Sequence, residues 1–239
     1  MGVRGQDAED YLQRMLSNDI AVLAVGESCD ALLLTAKARL IAPVRVWRRG
    51  QDDFLLLTEP ELGERVRAEL VRFRLAAKAE IEREEHTSAI VFGDADGIPT
   101  SDYGTRAVEV LDDSRDATLD DAELERMRIE AGTPRWGQEL DDRVLPAEAG
   151  LDETHVSFDK GCYPGQEPIA RQRYRGKVNR RLRRLELAGD VEPGDEILYE
   201  GKTVGRITSA TRERALAYVR VEVPEDAELR INSAIARLH

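Results

Sequence analysis

From Asn179 to His239 the sequence breaks into short apolar runs separated by turn signals, a texture that restricts the fold of this region more than any other feature of the chain. Leu182-Leu185-Leu187, Ile197-Tyr199, Val204 to Thr208, Ala215 to Val221, Leu229-Ile231 and Ile235 are the runs. Pro193-Gly194-Asp195, Glu200-Gly201-Lys202 and Pro224-Glu225-Asp226 divide them. Runs this short fit strands, and many short strands with regular turns leave edges that closure removes. Residues 179–239 are therefore expected to form an all-β unit, most simply a small barrel, with the boundary near Lys177–Asn179.

Residues 1–178 have a different texture, with helical and strand patterns mixed. After Asp7, a plausible cap, Tyr11, Leu12, Met15 and Leu16 share a helical face. Ala31 to Thr35, Arg39 to Trp47 and Phe54 to Leu57 read as strands of a meander. Thr58-Glu59-Pro60 starts a helix marked by Leu62, Val66, Leu70 and Phe73. Strands follow at Lys78 to Glu82 and Ala89 to Phe92, then a loop over Gly93 to Ser101 and a solvated acidic connection around Asp112, Asp113 and Asp116. Thr118 is expected to cap a helix with Leu124, Met127 and Ala131 on one side, ended by Gly132 and Pro134. No GxGxxG or GxxxxGK[ST] follows a strand, so a dinucleotide or P-loop fold is not supported. The class is α+β with a C-terminal barrel.

The formal net charge is −12, which argues against bulk or direct nucleic-acid binding, because phosphate contacts need clustered cations. No run of 18 or more apolar residues occurs, so no spanning helix is expected. The first residues lack a hydrophobic signal region, which makes the cytoplasm the expected compartment. Cys29 and Cys162 are the two cysteines, and His86, His155 and His239 show no metal-ligand spacing; no metal is expected to be bound by this chain alone.

Functional groups concentrate in Lys160-Gly161-Cys162-Tyr163-Pro164-Gly165-Gln166-Glu167 and the following residues to Arg171. A thiol, a phenol, a carboxamide, a carboxylate and cations share a backbone kept open by glycines and a Pro-Gly pair. This is either a site or a structural turn carrying a buried cysteine. By local pattern Glu130, in the last turn of its helix, is a surface glutamate, since the helix dipole disfavours an anion there. The basic run Arg171, Arg173, Arg175, Lys177, Arg180, Arg181, Arg183 and Arg184 fits either an anionic partner or a strand with solvent-facing arginines and inward Leu182 and Leu185.

Arg128-Ile129-Glu130-Ala131-Gly132-Thr133-Pro134-Arg135-Trp136-Gly137, Leu145 to Gly150 and the Lys160–Glu167 stretch closely resemble the YgfZ-type folate-binding proteins. These are relatives of the aminomethyltransferase (T protein) of the glycine cleavage system. Gly5 to Asp19 and Gly205 to Ala210 extend the resemblance over nearly the whole chain. It implies two intertwined, ferredoxin-like α+β lobes and a C-terminal barrel around a central channel. It also implies binding of tetrahydrofolate, or a one-carbon-substituted form, and a role in assembling or maintaining iron-sulfur proteins, with effects on cluster-dependent tRNA modification. Iron-sulfur proteins or their assembly factors are then the protein partners.

By the same resemblance, Glu130 is the carboxylate that accepts the pterin donor edge, reversing its local reading. Lys160 falls where the family presents a cation for the anionic glutamyl tail. Trp136 and Tyr163 either stack on the pterin or are plain core. Cys162 is the expected reactive group, its thiolate favoured by Lys160, against the alternative of a small buried hydrophobe. Gly161, Gly165, Gln166, Glu167 and Arg171 complete the active loop, with Gln166 and Glu167 positioning Cys162 or holding the loop. Aminomethyltransferases carry an aspartate pair after the second strand and lack KGCYxGQE; here Arg39 to Val44 contains no carboxylate. An accessory factor is thus favoured over the alternative, a folate-dependent one-carbon transferase. A non-catalytic interaction module using the basic run is the third reading.

Overall fold

The computed structural model describes residues 1–176 and 178–239; Lys177, a member of the basic run at the expected boundary, and the side chain of Arg175 lie outside the described residues. β1 (Gly2–Arg4), α1 (Ala8–Met15), β2 (Ser28–Leu34), β3 (Leu40–Gly50), β4 (Asp53–Leu57), α2 (Gly63–Phe73) and β5 (Glu80–Glu82) build the first lobe. Its antiparallel sheet has the order β2-β3-β4-β1-β5. β1 is too short to show periodicity, yet it joins β4 to β5, and the buried Met1 amine donates to the Leu56 carbonyl at 2.9 Å.

The uninterrupted apolar run in β2 has a simple cause. Leu33 enters one core with Tyr11, Leu12, Val66 and Leu70, under α1 and α2. Leu32 and Leu34 enter a second core on the opposite face, with Leu40, Leu140, Tyr163 and Ile169. A sheet covered on both faces needs apolar residues at successive positions, not alternate ones. The first two helices and the meander follow the sequence reading, except that the Asp7 carboxylate accepts from the Lys78 amide at 2.8 Å instead of capping α1, and that Phe73 ends half-exposed.

The second lobe holds β6 (Ser88–Phe92), β7 (Ile98–Thr100), β8 (Ala107–Leu111) and α3 (Asp121–Ala131), with sheet order β6-β8-β7. The expected loop at 93–101 therefore contains a strand, whose central Pro99 sits on an edge where it need not donate outward. Asp120, not Thr118, caps α3: its carboxylate accepts from the Glu123 amide at 2.8 Å. Gly132 ends the helix at φ 82°. The buried side of α3 is Arg128 and Ile129 instead of the Leu124, Met127 and Ala131 face, because the helix closes on a polar junction.

The chain then returns across the first lobe, which intertwines the two. Ser157 N–H donates to Ser17 at 3.0 Å and Ser17 Oγ to the His155 carbonyl at 2.6 Å. α4 (Gln166–Arg175) follows, a helix absent from the sequence reading. β9 (Arg180–Ala188), β10 (Glu196–Tyr199), β11 (Lys202–Ala210), β12 (Arg214–Arg220), β13 (Glu228–Ile231) and β14 (Ala234–Leu238) form a closed barrel, in the order β10-β11-β12-β9-β14-β13. Closure runs through the Leu198–Arg230 pair. Leu185, Ile207, Ala217, Leu229 and Ile231 fill the barrel.

Barrel and lobes are joined by a buried polar node. Arg128 Nη1 donates to Glu139 at 2.9 Å and Nη2 to Ser209 Oγ, from β11, at 2.9 Å. Ser209 donates to Glu139 at 2.6 Å, and the Tyr218 hydroxyl, from β12, to the Glu139 carbonyl at 2.9 Å. Glu139 is fully buried, so these bonds supply what water would otherwise provide.

Candidate functional site

The 160–171 stretch is anchored from below. Lys160 is buried, and its ammonium donates to the carbonyls of Gln13 (2.6 Å), Leu16 (2.7 Å) and Asn18 (2.6 Å). The carbonyls that end α1 lack intrahelical partners, and Lys160 supplies donors where the dipole favours a cation. Burial pulls its pKa down to about 8, against the Asp19 carboxylate and the Cys29 thiol. The expectation that Lys160 receives the glutamyl tail is thereby corrected, because its three N–H groups point into the protein. With its ammonium committed to these three carbonyls, Lys160 is also not free to act as the activating partner of Cys162. Cys29 itself is packed against the first core, and burial pushes its thiol up to about 12.

Tyr163 lies in the second core with its ring 5.4 Å from the Lys160 ammonium, which supports the reading as core over the reading as a pterin stack. Its hydroxyl is buried without a hydrogen-bond partner, and burial raises its pKa to about 12. Gly165 holds φ 85°, and a Cβ there would stand 2.7 Å from the Thr35 carbonyl oxygen and 3.0 Å from Ala38 Cα. Only glycine lets the loop lie this close to the β2–β3 turn before α4 begins. Gln166 Nε2 donates to the Lys160 carbonyl at 3.4 Å and holds the loop ends together.

The remaining members face outward. Gly161 has open space where a Cβ would be, and Cys162 is exposed, which removes the small-buried-hydrophobe reading of its thiol. Glu167 and Arg171 form an exposed ion pair at 2.6 Å, one helical turn apart, directed at neither Cys162 nor the loop interior. The nearby cations of the basic run are mostly paired: Arg173 lies over Phe158 at 4.5 Å, and Arg180 reaches Glu148 at 3.2 Å and covers Tyr218 at 4.5 Å.

Glu130 is not in an apolar slot. Its carboxylate is 42% exposed and accepts from Arg126, one turn back, while its carbonyl accepts from Arg184 at 3.1 Å. Trp136 is half-buried between the first and second cores, one face under Arg65 at 5.4 Å.

A charged seam between the lobes had no sequence signal. Arg45 of β3 donates to Asp30 of β2 at 2.8 Å and to both oxygens of Asp102 at 3.2 and 3.0 Å; Glu109 of β8 lies 3.9 Å away. Further along, Arg135 lies 3.7 Å from Glu59 and 3.8 Å from Glu125. Burial raises the Glu59 pKa, and His155, beside Asp30 and Asp102, is pushed down by burial. The turn carrying Asp102 packs on the helix carrying Glu130, since a Cβ at Gly104 would be 3.3 Å from the Ala131 Cβ. Asp30 and Asp102 are 15 and 57 residues from Arg45 in sequence, so no local spacing could reveal them.

Comparison with known proteins bears on this arrangement. Residues 179–239 match the family described as CAF17, C-terminal beta-barrel domain. An uncharacterized protein of Haemophilus influenzae is 26% identical over 245 residues, covering 95% of this chain and 86% of that protein. The tRNA-modifying protein YgfZ of Edwardsiella ictaluri is 28% identical over 223 residues, covering 76% of this chain and 66% of that protein. The crystal structure of glycine cleavage system aminomethyltransferase T from Bartonella henselae aligns with a TM-score of 0.85 at 20% identity, over 98% of this chain and 80% of that one. The chain is thus similar in sequence to YgfZ-type and aminomethyltransferase proteins and has the aminomethyltransferase fold.

Against that fold, the stretch after β2 is informative. Leu40, Ile41 and Ala42 are at most 3% exposed, core residues where the resemblance places an aspartate pair in the transferases. No helix among the described residues is long and apolar enough to cross a membrane, and among them no cluster of three His, Cys, Asp or Glu is arranged for a metal.

Proposed function

We propose that this protein binds tetrahydrofolate, or a one-carbon-substituted form, between its lobes, and serves the assembly or maintenance of iron-sulfur proteins, with Cys162 as the acting group. Cluster-dependent tRNA modification would then depend on it indirectly. The observation that carries this reading is the contrast within one loop. Lys160, Tyr163, Gly165 and Gln166 are committed to holding it, and Cys162 is left exposed.

The charged seam fits a folate in kind. A pterin edge offers two donors, which a carboxylate accepts, and Glu130 and Asp102 are carboxylates on packed neighbouring segments. A glutamyl tail needs cations, and Arg135, half-exposed, replaces Lys160 as the candidate. Trp136 offers the ring face not covered by Arg65. Bound tetrahydrofolate would supply one-carbon chemistry; the chain's own part is to orient the pterin by Glu130 or Asp102 and to present the Cys162 thiolate as a nucleophile toward a carbon or sulfur electrophile.

The alternative, an aminomethyltransferase-type one-carbon transferase, draws on the shared fold. It is opposed by the apolar Leu40-Ile41-Ala42, which leaves that position without an acid or base. Calorimetric titration with tetrahydrofolate tests the proposal. Micromolar binding that is lost in Glu130→Ala and kept in Cys162→Ser is expected; no binding by the unaltered protein removes the folate assignment.

A further inference from the structure

β9 has two chemically different faces. Leu182 packs on the second core, Arg180 covers Tyr218, and Arg184 donates to the Glu130 carbonyl, so these even-numbered residues turn toward the lobes. Leu185 belongs to the barrel core and Leu187 packs against it. Alternation then puts Arg181 and Arg183 on the same inward face. Their partners across the ladder, Val219 and Ala217 of β12, are barrel-core residues too. Two arginines therefore stand at the end of the barrel where its apolar filling stops.

A pocket of about 270 Å³ opens at this end, with Arg181, Arg183 and Arg220 above Val219, Val223 and Leu238. Glu225 is the one carboxylate among its lining residues. It sits fork-to-fork on Arg183, with Nη1 donating to Oε1 at 2.9 Å and Nη2 to Oε2. Arg220 pairs instead with Glu222 at 3.2 Å, and Arg181 has no carboxylate partner among the described residues.

We propose that the barrel mouth binds a small aliphatic carboxylic acid, its carboxylate on Arg183 and Arg181 and its hydrocarbon stem on Val219 and Leu238, with Glu225 as a tethered occupant that the ligand displaces. Glu225 itself shows that a carboxylate on a short stem fits the guanidinium fork, the geometry in which arginine recognises carboxylates best. The pocket volume suits a small metabolite, below the usual range for drug-sized ligands. The Glu225 side chain is 75% exposed, so its pairing is weak enough to be displaced. The overall charge of −12 disfavours a large polyanion here but leaves this local cation cluster available.

Glutarate is the probe, titrated into the full-length protein by calorimetry and followed by amide chemical shifts, with chloride and sulfate at matched ionic strength as controls. Millimolar binding is expected, with shifts confined to the ends of β9 and β12. Glu225→Gln should tighten it about threefold to fivefold by removing the competitor, and Arg181→Met should weaken it at least as much. Equal binding in both variants and the unaltered protein, shifts elsewhere, or equal response to sulfate would overturn the proposal. Thermal unfolding of both variants within a few degrees of the unaltered protein establishes that the comparison is between folded chains. The site is separate from the folate reading, so loss of either leaves the other standing.

Discussion

The inward and outward halves of the 160–171 stretch do different physical work. Lys160, Tyr163, Gly165 and Gln166 tie the loop to α1, the second core, the β2–β3 turn and itself. Cys162, Glu167 and Arg171 face water, and of these the ion pair is satisfied by itself. A dense motif is thus a scaffold for one exposed thiol and not a set of equal contributors. The two cysteines repeat the contrast: Cys29 is half-buried with its thiol pushed up to about 12, whereas Cys162 is open to solvent.

Substitutions on the inward side should cost stability in proportion to what they leave unpaired. Lys160→Met strands three carbonyls, with an expected loss of about 3–5 kcal/mol in denaturant unfolding. The sign of its pH dependence also follows. With a folded pKa of about 8 against the ordinary lysine value of 10.5, the native chain binds fewer protons than the unfolded one between those values. Lys160 therefore makes stability rise with pH across that window, and the difference in slope between the unaltered protein and Lys160→Met measures this contribution.

Gly165→Ala should cost about 3 kcal/mol, from a left-handed backbone and the approach to the Thr35 carbonyl, visible as a lower thermal midpoint. Tyr163→Phe is the sharper test of the inward half, since its hydroxyl has no partner. Removing it should be neutral or stabilise by up to about 1 kcal/mol, and a clear loss of stability would reveal a role for the phenol that the packing does not explain. On the outward side, Arg171→Gln should change stability by no more than about 0.5 kcal/mol.

Much of the fold was legible because its signals are local. The barrel strands and their turns, the meander and the apolar faces of α1 and α2 follow from periodicity. β1 and α4 were missed for physical reasons. β1 has three residues and exists only because β4 and β5 accept it on both sides. α4 starts from a left-handed glycine with no side-chain cap, so the usual helix-start signals are absent. At the site, Lys160 read as a free cation because the helix end it caps is 142 to 147 residues away in sequence. Glu130 is partly exposed and paired with Arg126, as its place in the last helical turn leads one to expect, and its ligand role comes from the resemblance alone. The Arg45–Asp30–Asp102 seam is a purely tertiary object, assembled from strands of both lobes.

The role proposed for the loop is to present Cys162. The most direct measurement is the activity of an iron-sulfur enzyme in cells deprived of their own YgfZ-type protein and supplied with each variant at equal soluble level. Cys29→Ser should restore activity as the unaltered chain does, and Cys162→Ser should not, although its thermal midpoint is unchanged. Full restoration by Cys162→Ser would contradict that role and reduce the loop to a structural latch.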